Sequence, residues 1–204
     1  MQQACYHGSA FDRIIVVMVK PYLVIVSGAP AAGKTTLARR LGHELGFPVI
    51  AKDDIKERLF ETLGWHDRDW SRKLGVATFD LIYYFVETEL RAQRSLIVES
   101  NFRPEFSAAT FLALRTKYAF EPVQIVCSAE TSVLRERYRQ RYLSGERHPG
   151  HVDHVVYEEL QAGEQQDEYG PMPIGGGVLR VDTTDFSRVD YAAILAQTRS
   201  ALSQ

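Results

Sequence analysis

Eight consecutive residues, Gly28-Ala29-Pro30-Ala31-Ala32-Gly33-Lys34-Thr35, constrain this chain more than any other stretch. They match G-x-x-x-x-G-K-[ST] in full. The context fits as well. The run Tyr22-Leu23-Val24-Ile25-Val26-Ser27 before them is continuously apolar and β-branched, as a strand buried on both faces must be. A helical pattern follows from about Gly33 to Leu45. Strand, tight turn and helix together make an anion cradle. Successive backbone N–H groups point inward, glycine at both ends permits the turn and the close approach, and the helix presents its positive end. The residues Gly28, Ala29, Pro30, Ala31, Ala32, Gly33, Lys34, Thr35 and the adjacent Thr36 are therefore expected to bind the phosphates of a nucleoside triphosphate. Lys34 suits the β- and γ-phosphates and the Thr35 hydroxyl suits Mg²⁺.

The rest of the chain alternates strands and helices. Strands are expected at 47–51, 95–100, 122–127 and 178–181, and helices from Asp53, over 69–94, from Pro104 to about Tyr118, from Glu130 to Tyr142, near 154–163 and over 187–202. This order implies an α/β fold with a parallel sheet covered by helices on both faces. At 204 residues it fits one domain over 21–204. Residues 143–153 are polar and carry Gly145, Pro149 and Gly150, which suggests a mobile lid near 135–155. Gly175-Gly176-Gly177 lacks the setting of a phosphate loop and reads as a flexible connection. The apolar run 14–19 is too short to span a bilayer and lacks the marks of a secretory signal. Residues 1–20 are read as an extension: either 14–19 add a strand, or Met18 is the true start.

Net charge is −2, so no global positive field draws in nucleic acid or an anionic membrane. Two cysteines, Cys5 and Cys127, form no disulfide or zinc pattern, and a reducing cytoplasm is the expected location. His66, His148, His151 and His154 show no metal spacing.

Three clusters extend the reading from binding to transfer. Asp53 and Asp54 follow the second strand, at the end of an open parallel sheet where ligands bind. A carboxylate there can take the proton of an attacking hydroxyl, while its neighbour caps the helix; Asp53 is the expected base. Glu99 ends the third strand, where an acidic residue can hold Mg²⁺ through water. Asn101 and Arg103 follow it, as acceptor-binding residues or as helix-start residues before Pro104. Arg135, Arg137, Arg139 and Arg141 crowd one helix, where i,i+4 spacing puts Arg135 with Arg139 and Arg137 with Arg141 on either side of a Leu134–Tyr138–Tyr142 stripe. Such crowding is unfavourable on a plain solvated face and favourable beside an anion. Among the aromatic residues between the second and third strands, Trp65 and Trp70 are candidates to line a site, and Tyr83, Tyr84 and Phe85 are mostly core. The segment Asp182-Thr183-Thr184-Asp185 is a candidate to border a nucleotide base.

Gly28–Thr35, Asp53-Asp54-Ile55-Lys56, Glu99–Phe102, and Leu134-x-x-Arg137-x-x-x-Arg141 with Arg147-His148-Pro149-Gly150-His151 resemble the small P-loop kinases. That group is related to the 5′-kinase domain of polynucleotide kinase, chloramphenicol phosphotransferase, gluconate kinase and zeta toxins. The resemblance covers about residues 21–200. It implies the P-loop NTPase fold, a five-stranded parallel sheet in order 2-3-1-4-5 with an Arg-bearing lid. It also implies Asp53 as the acceptor-activating residue, Lys56 as an acceptor contact, and Arg137 and Arg141 as the lid arginines. The expected activity is transfer of the γ-phosphate of ATP·Mg to a hydroxyl of a small molecule. A nucleic-acid 5′ end is a less expected acceptor, given the overall charge, and a nucleotide-gated switch is the alternative outside enzymes. Glu99 stands where such kinases usually have Asp. No Asn-Lys-x-Asp guanine motif is present.

Overall fold

The computed structural model describes residues 20–145, 147–161 and 169–202. The expectations for the N-terminal extension and for the end of the 154–163 helix fall outside these residues. Five strands form one sheet: β1 (Tyr22–Gly28), β2 (Val49–Ala51), β3 (Leu96–Glu99), β4 (Glu121–Ser128) and β5 (Gly177–Asp182). All pairings are parallel and the order is β2-β3-β1-β4-β5, as the resemblance implied. The helices are α1 (Lys34–Leu45), α2 (Lys52–Leu63), α3 (Arg68–Arg91), α4 (Pro104–Tyr118), α5 (Thr131–Ser144), α6 (Asp153–Gln161) and α7 (Tyr191–Ala201), with 3₁₀ turns at Pro149–His151 and Phe186–Arg188.

Side-chain alternation along β1 divides the core. Val24 and Val26 face α1 and α7 with Ile97, Val123 and Ile125, packing on Leu37, Leu41 and Ile194. Leu23 and Ile25 face α3 and α4 with Leu96 and Val98, packing on Ile82, Val86, Leu90 and Phe111. Both sheet faces are thus covered, which is why the central strands read as unbroken apolar runs. Cys127 lies inside the first cluster, and burial pushes its thiol up to about 12, so it is an inert core residue.

A buried polar side chain ties this core to the segment before β5. Gln124 on β4 is buried, donates to the Met172 carbonyl at 3.0 Å and accepts from the Met172 N–H at 2.7 Å. This reciprocal pair pins the segment before β5 to the sheet. The triple glycine there is not a slack connection. Gly175 and Gly176 hold φ of 74° and 78°. A Cβ on Gly176 would lie 1.9 Å from the Pro122 carbonyl oxygen, so close backbone approach selects glycine. Tyr84 and Phe85 are exposed rather than core, because Ile82 and Val86 take the inward face of α3. Tyr142 also departs from the expected stripe: Leu134 and Tyr138 are buried, and Tyr142 is 41% exposed near the end of α5. Among the described residues no helix is long and apolar enough to cross a membrane.

Candidate active site

The carboxyl ends of the strands open into one cavity of about 450 Å³. β1 delivers the loop that leads to α1. Gly28 has φ of 136°, and a Cβ on it would fall 2.1 Å from the Cys127 carbonyl oxygen, so only glycine lets the loop leave the sheet here. Pro30, Ala31, Gly33, Lys34, Thr35 and Thr36 line the cavity, while Ala29 and Ala32 are buried beneath it. The buried Lys34 ammonium donates to the Ala29 carbonyl at 2.8 Å, and burial lowers its pKa. The loop is braced from behind: Thr183 Oγ1 donates to the Ala32 carbonyl at 3.2 Å and to that of Ser128 at 3.0 Å.

β3 ends on Glu99, which is buried and accepts a 2.8 Å hydrogen bond from Thr35 Oγ1. Burial pushes its carboxyl up in pKa, against the pull of Lys34 and the Thr35 hydroxyl. A hydroxyl and a carboxylate converging in this way suit a hard, oxygen-binding cation, whose charge would relieve the cost of burying Glu99. No cluster of three or more His, Cys, Asp or Glu side chains fit for a metal occurs among the described residues, so such a cation would draw its other ligands from phosphate and water.

β2 passes into α2 with no loop between them. Ala51 is the N-cap position, so neither Asp53 nor Asp54 is the cap. They occupy the first turn, where the helix dipole favours a carboxylate. They then part: Asp54 turns outward to Arg39 at 2.7 Å, while Asp53 lines the cavity. Asp53 is salt-bridged to Arg147 at 2.5 Å. Burial raises the Asp53 pKa, but the Arg147 guanidinium, by charge and hydrogen bond, and then Lys52 outweigh it and hold the carboxyl well below the usual carboxylate range. Arg147 also bonds Asp153 at 2.5 Å, and Asp153 accepts from the Tyr138 hydroxyl at 2.6 Å.

The polar segment after α5 is therefore docked rather than loose. The backbone at Gly150 lies against Phe60, where a Cβ would meet the ring at 2.7 Å, and His148 stacks on the same ring. His151 Nε2 lies 3.0 Å from Glu57 Oε1. Burial, with Arg147 beside it, holds the His151 imidazole neutral, so this contact is a hydrogen bond rather than an ion pair.

On α5, Arg137 and Arg141 line the cavity, while Arg139 pairs with Glu136 at 2.8 Å and Arg135 is exposed. Arg137 donates to the Thr183 and Thr184 carbonyls at 2.7 and 3.0 Å, and its guanidinium lies 3.6 Å from the centre of the Phe186 ring. Arg137 Nη1 and Arg141 Nε are buried without a hydrogen-bond partner.

Most of the expected site residues thus meet in one space, including Lys56 and Asn101. Arg103 does not: it lies at the N-cap position of α4, pairs with Glu105 at 2.8 Å and packs on Phe106. Trp65 and Trp70 also lie outside the cavity lining, Trp65 edge-on to His148 and Trp70 stacked on His66. Among Asp182, Thr183, Thr184 and Asp185 none lines the cavity, but the next residue, Phe186, does. Sequence reading missed Lys52, Arg68, Ser100, Tyr138 and Phe186 as lining residues. It had Arg147 and His151 only inside a motif. Their role depends on partners 94 residues away, Asp53 and Glu57, which no local pattern displays.

The family model for the AAA domain matches residues 23–165, more than half of the chain. The chain belongs to that family. Its fold is that of the small P-loop kinases. A crystal structure of a candidate kinase from Chloroflexus aurantiacus J-10-fl is 39% identical, with 89% of this chain and 98% of that one covered and a TM-score of 0.81. Two more distant structures share the fold of this AAA-domain protein. Chaetomium thermophilum Kti12 in complex with ADP-AlF3 is 16% identical, with 88% and 98% covered and a TM-score of 0.61. A sugar kinase from Janibacter sp. HTCC2649 is 15% identical, with 90% and 95% covered and a TM-score of 0.55. No curated protein matches the sequence.

Proposed function

We propose that this protein transfers the γ-phosphate of ATP to a hydroxyl group of a small-molecule acceptor. The observation that carries the reading is the lining of the cavity described above. The phosphate loop, a carboxylate at the end of β2, and two lid arginines with idle buried donors all face it. Idle donors of this kind are costly beside nothing and favourable beside phosphate oxygens. A neighbour crystallised with ADP-AlF3 and another named a sugar kinase fit this reading.

In the proposed reaction, the loop N–H groups hold the β- and γ-phosphates, and Lys34 turns from the Ala29 carbonyl to bridge them. Phe186, the residue after the Asp182–Asp185 segment, borders the base. Asp53 orients the acceptor hydroxyl and takes its proton as the hydroxyl oxygen bonds to the γ-phosphorus and the bond to the β,γ-bridging oxygen breaks. ADP leaves with that oxygen. Arg137 and Arg141 meet the charge spread over the moving phosphoryl group. Thr35, and Glu99 through water, would hold Mg²⁺, which when bound offsets charge on the β- and γ-phosphates. The buried free thiol of Cys127 suits the reducing cytoplasm in which such a reaction is expected.

The test is incubation with Mg²⁺ and γ-labelled ATP, offering pooled cell metabolites and, separately, 5′-hydroxyl DNA and RNA. Label should appear in a small molecule. Lys34→Ala should abolish it by weakening nucleotide binding. Asp53→Asn should lower transfer by about 10²–10⁴-fold while ATP still binds. Label on nucleic-acid ends alone would make the protein a 5′-hydroxyl kinase. Tight ATP binding with only free phosphate released would favour a nucleotide-gated switch.

A further inference from the structure

The cavity holds more positive charge than a triphosphate site requires. Seven cationic side chains line it against two carboxylates, Asp53 and Glu99, in a chain of net charge −2. Lys34, Arg137 and Arg141 belong to the nucleotide side. Lys52, Lys56 and Arg147 lie near Asp53 instead, and Arg68 lies near Lys56. Both carboxylates are already engaged, Asp53 by Arg147 and Glu99 by the Thr35 hydroxyl.

Two of the ammonium groups rest on neutral partners. Lys56 is 7% exposed; its Nζ donates to the Ser71 hydroxyl at 2.9 Å and lies 5.3 Å from the centre of the Phe60 ring. Lys52 Nζ donates to Asn101 Oδ1 at 2.8 Å and lies 4.9 Å from the centre of the Phe79 ring. A buried ammonium without a counter-charge is unfavourable, and Met or Gln could tie α2 to α3 at position 56 at lower cost. Transfer to a plain alcohol needs a base and the nucleotide clamp, and neither lysine serves those. Asp53 and Lys56 are three apart on α2 and share a face. A group held at Lys56 would keep a neighbouring hydroxyl beside Asp53. The docked segment at Gly150 covers Phe60 on this side, which favours a compact ligand over a polymer.

We propose that the acceptor is a small anionic alcohol, carrying a carboxylate or phosphate besides the hydroxyl offered to Asp53, and that Lys56 together with Lys52 binds that anionic group. This rests on the kinase reading above.

The first test measures binding without turnover. Protein saturated with Mg²⁺ and a non-hydrolysable ATP analogue, so that the phosphate loop is filled, is titrated calorimetrically with sulfate. One further equivalent should bind, at least tenfold more weakly in Lys56→Met and nearly as well in Lys56→Arg. Burial, with Lys52 next, lowers the Lys56 pKa to about 8, against the pull of Asp53 and with Arg147 and Arg68 adding to the fall. Lys56 therefore loses its charge as pH rises through that value, while sulfate keeps its own. Affinity should fall above about pH 8 in the wild type and fall less in Lys56→Arg. The second test needs no variant: γ-labelled ATP is offered with polyols and with the carboxylate and monophosphate of the same carbon skeletons. The acids should win by tenfold or more in kcat/KM.

Equal use of neutral polyols, sulfate binding that ignores Lys56→Met, or transfer confined to 5′-hydroxyl DNA or RNA would each overturn the proposal and leave phosphoryl transfer standing. Failure of the ATP analogue to bind would sink the kinase reading and this proposal with it.

Discussion

Asp53 is at once the proposed base and the anchor of Arg147. A carboxylate held this far below its ordinary range is a weak base, so acceptor activation requires Arg147 to turn toward another anion. The Arg147→Met variant should therefore move the acid limb of the kcat/KM profile up toward the ordinary carboxylate range, read from initial rates across pH. The same change strips Asp153 of a partner in a nearly buried position, with Tyr138 still donating to it. Its cost should be on the order of 3 kcal/mol by urea unfolding. The sign for Asp53 itself is fixed by its lowered pKa. Its ion pair stabilises the fold above about pH 4, the unfolded value, and that stabilisation drains away as pH falls below it. Asp53→Asn should flatten this acid slope in thermal unfolding.

At the scale of elements, the strands were the most legible part of the sequence. The parallel sheet buries both faces of its central strands, so these announce themselves as runs such as Leu23–Val26 or Leu96–Val98. The phosphate loop was equally plain, because its chemistry is local to eight residues. What stayed hidden depends on long-range placement. Consecutive Tyr83, Tyr84 and Phe85 cannot be sorted into core and surface until the helix is rotated onto its neighbours. The three glycines at 175–177 look like slack until Pro122 is seen against Gly176. That contact carries its own prediction. Gly176→Ala forces a Cβ into the Pro122 carbonyl at positive φ and should cost on the order of 1–3 kcal/mol, seen as a lower urea midpoint at unchanged slope. The docking of Arg147 and His151 was likewise invisible, since each bond joins residues 94 apart.

For the whole molecule, charge is distributed by location rather than by total. The chain is slightly acidic while its cavity is strongly basic. Ligands that fill the cavity should thus stabilise the fold as a unit. At a hundredfold excess over Kd, a non-hydrolysable ATP analogue with Mg²⁺ should add about 2.7 kcal/mol. For a domain of this size that raises Tm by roughly 5–10 °C, measurable by scanning fluorimetry. Lys34→Ala should remove most of the gain without changing the ligand-free Tm by a similar amount.

The loopless junction of β2 and α2 has a consequence for how substrate range changes over evolutionary time. The proposed base and both proposed acceptor-side lysines ride on the opening turns of one rigid helix, while the proposed nucleotide grip is built from β1, α1, α5 and the end of β5. On that reading, replacing side chains on α2 and its partner α3 would retune which acceptor is taken and leave the fuel-handling half untouched. One scaffold can in this way diverge into many specificities, each inheriting the same engine.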